Sequence, residues 1–249
     1  ENPPAKVASE PAVKAEIEVL APSAVSSLPM TFDIPIITYH HITDDVARYG
    51  ESLALPLVNL EVQLQYLIEQ GITTSTFRDL SKIMEGTQKA RRAVILTFDD
   101  GYRDAYEAAE LLRKHNQVGV FFIITDKLGT SGYMSWDQVK DLRDWGMEIG
   151  SHGIVSADLV QSNDFYLSDE LERSKRIIEQ KLGVEVLSFA YPAGRHDDRV
   201  VQAASKAGYR FARTTESGSK YTEADFLSLP TLRVFFPAGR KQFEAWLGE

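Results

Sequence analysis

The sequence predicts an α/β fold: a (β/α) barrel, distorted or incomplete at seven strands, forming a single catalytic domain. Three observations predict it. Strand-like and helix-like runs alternate over about two hundred residues, the pattern of a parallel sheet covered by helices. The strand runs are apolar throughout rather than alternating, as in strands buried on both faces. The polar residues singled out below, Tyr39-His40-His41, Asp99-Asp100, His152 and Tyr191, end the predicted strands, and that is the face where barrel enzymes place their sites. An open doubly wound sheet is the competing architecture, but no glycine-rich phosphate loop follows the first strand.

The elements follow in order. Phe32 to His41 reads as the first buried strand. Asn59 to Gly71 is an amphipathic helix with Leu60, Leu64, Leu67 and Ile68 on one face and Gly71 as its stop. Ile72 to Phe77 is a short strand and Phe77 to Met84 a short helix. Ala93 to Phe98 is an apolar strand feeding a helix over Asp104 to His115, and Val118 to Ile124 is another apolar strand. Ser135 caps a helix to Trp145, with Asp137 in its first turn. Met147 to Ser151 is a strand, and Leu167 to Leu182 a long helix between Ser168 as cap and Gly183 as stop. Val186 to Tyr191 is a strand, Asp198 to Ala207 a helix, Tyr209 to Thr214 and Leu232 to Phe235 strands, and Gln242 to Leu247 a closing helix.

Composition narrows the function. The chain has no cysteine, which excludes disulfides, thiolate metal sites and cysteine nucleophiles. A net charge of -9, with no basic run interleaved with aromatics, argues against nucleic acid or an anionic membrane as partner. No apolar run reaches membrane-spanning length and no signal peptide is seen, so no integral membrane segment is expected. Residues 1–30 are rich in Ala, Pro, Ser, Val and Glu and broken by Pro3, Pro4, Pro11, Pro22 and Pro29. They read as a linker or tether, leaving 31–249 as the catalytic domain. Such a segment suits an exported chain: extracellular, periplasmic or at the cell surface.

Adjacent carboxylates at Asp99 and Asp100 are the sharpest chemical signal. Neighbouring strand residues point to opposite faces, so one carboxylate can face a metal while the other stays free as a base. A helix cap needs only one Asp, and two behind a buried strand repel each other unless a cation or cationic partner lies between them.

Three segments then resemble successive motifs of the polysaccharide deacetylases, the NodB-homology domain of carbohydrate esterase family 4. They are Thr97-Phe98-Asp99-Asp100-Gly101-Tyr102, Glu148-Ile149-Gly150-Ser151-His152 and Phe189-Ala190-Tyr191-Pro192-Ala193-Gly194. The opening Ile36-Ile37-Thr38-Tyr39-His40-His41-Ile42 is similar to the branch that de-N-acetylates poly-β-1,6-N-acetylglucosamine. The resemblance implies metal-dependent removal of N-acetyl groups from an N-acetylglucosamine-containing polysaccharide; a monomer is expected. It implies Asp99 as general base, Asp100 and His152 as ligands of a divalent metal, and an oxyanion donor near Ala193. Tyr191 and Pro192 would wall the sugar subsite. From its place in the sequence, His40 either lines the pocket as a substrate-binding residue or packs at the strand end. Zinc is the default metal, with cobalt, nickel or iron also compatible with Asp and His.

This sequence departs from that pattern in three places. Ser156 occupies the position of the second metal-binding His, and a hydroxyl is a far weaker ligand than imidazole. Water, Asp158 or another His are the other ways to complete the site. Ala190 replaces an Arg that orients the base, a role open to Arg213 or Arg233. No His follows His196, so the general acid of many members is missing. A catalytically weak glycan-binding relative is therefore the alternative, and an esterase or amidase with another acyl substrate a third reading. His41 is expected either in the pocket or packed at the strand end, His115 in solvent, and His196 in a polar turn.

Overall fold

The computed structural model describes residues 30–89 and 92–248, so the expected tether lies, apart from Met30, outside the described residues. The first apolar run forms strand β1 (Ile36–Tyr39). An excursion that the sequence pattern does not announce comes next: β2 (His41–Ile42), helix α1 (Val46–Tyr49) and β3 (Ala54–Leu55), with β2 and β3 paired in parallel. Then follow α2 (Leu57–Glu69), β4 (Thr73–Ser75), α3 (Phe77–Met84), β5 (Ala93–Phe98), α4 (Asp104–Lys114), β6 (Val120–Ile123), α5 (Trp136–Asp144) and β7 (Glu148–Ser151). The chain continues with α6 (Asp164–Ser168), α7 (Ser174–Leu182), β8 (Ser188–Ala190), α8 (Asp198–Lys206), β9 (Phe211–Ser217), β10 (Leu229–Arg233) and α9 (Arg240–Leu247).

Strands β5, β6, β7, β8, β9, β10 and β1 run parallel round a barrel that closes because β1 pairs with both β10 and β5. The expected seven-stranded barrel is what forms. An eighth strand, β4, pairs with the lower part of β5 at Ala93 to Ile95, below the point where β6 joins at Thr97. Alternation along each strand sends residues to two cores. Ile37, Leu96, Phe121 and Phe189 pack with the surrounding helices, whereas Ile36, Ile95, Phe122 and Phe211 share a second core with Phe77 and Leu80 of α3.

Local signals explain most boundaries. Ser135 caps α5 as expected, its hydroxyl accepting from the Gln138 N–H while the Gln138 side chain accepts from the Ser135 N–H. The long helix before β8 starts earlier than its predicted cap: Asn163 accepts from the Tyr166 N–H, and Ser168 lies inside the helical run. A π-helical turn over Asp169–Arg173 then joins α6 to α7, which ends at Gly183 as predicted. The last strand is also displaced. It covers Leu229–Arg233 rather than Leu232 to Phe235, because it pairs with β9 through a register shift between Leu229 and Thr231.

Candidate active site

Asp99 leaves the C-terminal end of β5 with its N–H bonded to the Tyr39 carbonyl at 3.0 Å, so the closing seam of the barrel fixes its backbone. Its side chain is buried, and Arg213 of β9 forms an ion pair with Oδ2. Arg213 is itself 1% exposed and lies over the Phe122 ring, 5.3 Å from its centroid. Two buried opposite charges hold each other in place because neither tolerates burial alone. His40 Nε2 lies 3.6 Å from the same Oδ2. The other oxygen, Oδ1, is buried with no hydrogen-bond partner among the described residues. Of the two arginines the sequence offered, Arg213 is the one that reaches Asp99; Arg233 lines the cleft instead.

Asp100 adopts a left-handed φ of 69°, unusual for a non-glycine residue, and its carboxylate meets His152 at the end of β7. His152 Nε2 is 3.4 Å from Asp100 Oδ1. The Ala190 carbonyl, 2.7 Å from Nδ1, can only accept, so Nδ1 carries a proton. In the neutral ring Nε2 is then a lone pair facing a carboxylate, and either a proton or a cation must lie between them. Without a metal it is the proton. Burial opposes ionisation of Asp100, but the hydrogen bond and charge of His152 outweigh it and hold the carboxyl at about 2. Burial likewise works against a charged His152, and Asp100 and Asp99 overcome it to raise the imidazole above its ordinary range. For His40, burial prevails over the nearby carboxylates and lowers the ring below 6.5.

This geometry fits a divalent cation in part. Asp100 and His152 supply two strong donors, and the backbone bond to His152 Nδ1 fixes its tautomer as metal-binding histidines require. Ser156 lines the same cleft. No cluster of three His, Cys, Asp or Glu side chains that would hold a metal occurs among the described residues. A cation here would find two strong donors, Asp100 and His152, with Ser156 lining the same cleft.

The loop that carries Ser156 is held from below. Glu170, on the π-helical turn, accepts from the Ile154 N–H at 2.8 Å and the Val155 N–H at 3.3 Å. Gly153 lies against the same carboxylate with φ 83°, and a Cβ there would collide with Glu170 Oε2. The third motif forms the opposite wall. Tyr191 and Ala193 line the cleft, Gly194 packs so closely on Thr215 that no Cβ fits, and Pro192 is buried without lining the cleft. The turn there uses the Gly194 and Arg195 N–H groups. Four non-glycine residues have positive φ among the described residues: Asp100, Asn116, Ser156 and Ala193. Three of them, Asp100, Ser156 and Ala193, line this one cleft of 340 Å³, so the left-handed backbone gathers there.

The other histidines go elsewhere. His41 stacks between Tyr49 and Tyr102, with both centroid distances 3.7 Å, and bonds Asp104 through Nδ1. His196 stacks on Tyr191 from outside the cleft lining. His115 is not in solvent as expected: it is partly buried, 3.7 Å from Glu61. Asp158 pairs with Arg195 and does not line the cleft. Tyr39 is buried with its hydroxyl on Gln63. Leu53 lines the cleft without any sequence signal, Thr215 lines it from the stretch that follows Arg213, and Tyr102 lines it from inside the first motif.

Comparison with known proteins agrees with this arrangement. The family model for polysaccharide deacetylase matches residues 86–212. YxkH of Bacillus subtilis is 29% identical over 203 residues, covering 81% of this chain and 71% of its own. The poly-β-1,6-N-acetyl-D-glucosamine N-deacetylase of Staphylococcus epidermidis is 21% identical, covering 75% and 70%. Among solved structures, the Streptococcus pyogenes deacetylase PplD, in complex with acetate, superposes with a TM-score of 0.81 at 25% identity over 88% of this chain and 99% of its own. BC0361, a polysaccharide deacetylase from Bacillus cereus, gives 0.80 at 27% over 87% and 69%. With paired carboxylates, a facing histidine and a closed seven-stranded barrel under them, this chain belongs to the polysaccharide deacetylase family.

Proposed function

We propose that this polysaccharide deacetylase removes N-acetyl groups from N-acetylglucosamine units of an extracellular or cell-wall glycan, poly-β-1,6-N-acetylglucosamine being favoured, in a metal-dependent reaction. The observation that carries the reading is the asymmetry of Asp99. One oxygen is held by Arg213, and the other is buried, unpartnered and beside a cleft. A buried carboxylate oxygen left without a donor is what a general base requires.

Asp100 and His152, with Ser156 beside them, would hold the divalent cation, zinc by default. When bound, the metal supplies Lewis acidity to the acetamide carbonyl and the attacking water. Asp99 Oδ1 takes a proton as the water oxygen bonds to the carbonyl carbon. Arg213 balances the Asp99 charge and fixes its orientation. The Ala193 N–H is the backbone donor available to the developing oxyanion. As the C–N bond breaks, the amine takes a proton. Asp99 Oδ1 returns it, since His40 Nε2 faces the other oxygen, Oδ2, which Arg213 holds. Tyr191 walls the sugar. The Staphylococcus epidermidis relative supports the β-1,6 linkage, and a glycan of that kind suits a location outside the cytoplasmic membrane. No helix of the described residues is long and apolar enough to cross a membrane.

Acetate release from β-1,6- and β-1,4-linked N-acetylglucosamine oligomers tests this, with metal-stripped and zinc-reloaded protein. Release that prefers the β-1,6 series, disappears on chelation and returns with zinc is expected. Release that ignores chelation contradicts the metal role, and preference for the β-1,4 series contradicts the glycan.

A further inference from the structure

A column of flat side chains links the excursion after β1 to the turn that carries Asp100. His41, buried at the start of β2, stacks on Tyr49 of α1 and on Tyr102, with both centroid distances 3.7 Å and interplanar angles of 25° and 20°. Tyr133 packs on Tyr102 at 5.2 Å, and the Arg48 guanidinium lies 5.1 Å from the Tyr49 centroid. Asp104, the first residue of α4, bonds His41 Nδ1 at 2.7 Å and so sets the rotation of the ring. Neither His41 nor Asp104 lines the cleft. Tyr102 does, and its hydroxyl hydrogen-bonds the Asp100 carboxylate. A phenol is protonated at neutral pH, so the hydroxyl is the donor.

Asp100 needs support of this kind. A left-handed φ of 69° persists in a non-glycine residue only where its surroundings over-determine it. Backbone bonds supply part of the hold: the Met134 N–H reaches the Gly101 carbonyl at 3.0 Å, and the Arg103 N–H reaches the Gly132 carbonyl at 2.9 Å. These fix the turn and leave the direction of the carboxylate to side chains. His152 meets it from β7, and Tyr102 meets it from the turn itself. The close stack on His41 restricts the rotamers open to Tyr102 beside an open cleft.

We infer that His41 is a positioning residue for the candidate metal ligand Asp100. Clamped by Tyr49 and oriented by Asp104, it holds Tyr102, whose hydroxyl aims the Asp100 carboxylate at the place beside His152 that a divalent cation would take. Partners of this kind, outside the coordination shell, govern how tightly a cation is held. The inference rests on the metal-dependent reading given above, and a metal-free measurement separates the two.

Zinc competition titrations compare wild type, His41→Ala, His41→Phe, Tyr102→Phe and the His41→Ala/Tyr102→Phe pair. About tenfold weaker zinc binding is expected for His41→Ala and for Tyr102→Phe. The pair should be no weaker than either alone, because the effect passes through one hydroxyl. His41→Phe keeps a flat ring in the stack and should recover most of the affinity. Unchanged affinity in His41→Ala, or a full further loss when it is added to Tyr102→Phe, overturns the inference. Should His41→Ala fail to fold, Tyr102→Phe decides, since it removes only the hydroxyl; wild-type affinity there overturns the relay. Denaturant unfolding of metal-free His41→Ala, Asp100→Asn and their pair gives the second readout. A coupling of about threefold or more in the unfolding equilibrium constant is expected, and additive changes overturn the inference. A wild type that binds no zinc, with this coupling present, would overturn the metal reading and leave His41 in its positioning role.

Discussion

At the residue scale, the chemistry turns on what each side chain is left facing. Asp99 was visible in the sequence as half of a pair, and Arg213 only as one of two candidate partners, because Arg213 comes from a strand three places round the closed barrel. Replacing Arg213 with Met leaves a buried carboxylate without its counter-charge. A loss of about 3–5 kcal/mol in denaturant-induced unfolding is expected; a loss near zero would show that Asp99 needs no counter-charge to stay buried. Ser156 is the opposite case, legible as a departure and found in the cleft. A second imidazole there would complete a three-ligand set, so Ser156→His should bind zinc at least about tenfold more tightly in competition titrations. Equal affinity would mean that the position does not face the metal. The pH dependence follows from the Asp100–His152 pair. His152 titrates above 6.5 when folded, so its contribution is complete below 6.5 and is lost as pH rises through the folded value. Asp100 has the opposite sign: its contribution is present above 3.8 and is lost as pH falls toward about 2. The pair thus stabilises the metal-free protein most between these limits. A cation replaces the shared proton, so the gain in melting temperature on adding zinc should grow as pH rises beyond 6.5. Thermal unfolding with zinc and with chelator from pH 5.5 to 8 measures it, and a gain that shrinks with pH would contradict the pairing.

At the scale of elements, the loop after β7 is the part that sequence reading leaves open. The apolar strands announce themselves because burial on both faces demands continuous apolar runs. The short pieces β2, α1 and β3 do not, since runs of two to four residues carry no period to read. The π-helical turn is equally silent, although it is what presents Glu170 to the Ile154 and Val155 amides. Glu170→Ala should cost about 1–3 kcal/mol by leaving the buried Ile154 N–H without an acceptor. It should also weaken zinc binding while touching no residue of the cleft lining. Hydrogen exchange at 153–156 is the direct readout, and unchanged protection there would show that the loop is held by something else.

At the scale of the molecule, the barrel was the most legible feature and the site the least complete. Apolar strands ending in polar residues fixed both the class of fold and the face on which the site lies, because parallel strands deliver their C-terminal ends to one rim. Asp99, Asp100, His152, Ser156, Tyr191, Ala193 and His40 all reach one cleft, whereas Pro192 packs beneath it. The residues that complete the lining, Leu53, Thr215 and Arg233, come from segments far apart in the chain, and only closure of β1 onto β5 and β10 brings them together. The central claim is that the barrel sets two adjacent carboxylates to different tasks, Asp100 to the metal and Asp99 to the proton. Metal content and acetate release measured together on Asp99→Asn test it most directly. The account predicts wild-type zinc content with acetate release lowered by about 10²–10⁴-fold, the range of a general base. Loss of zinc together with activity, or zinc and activity both kept, would contradict it.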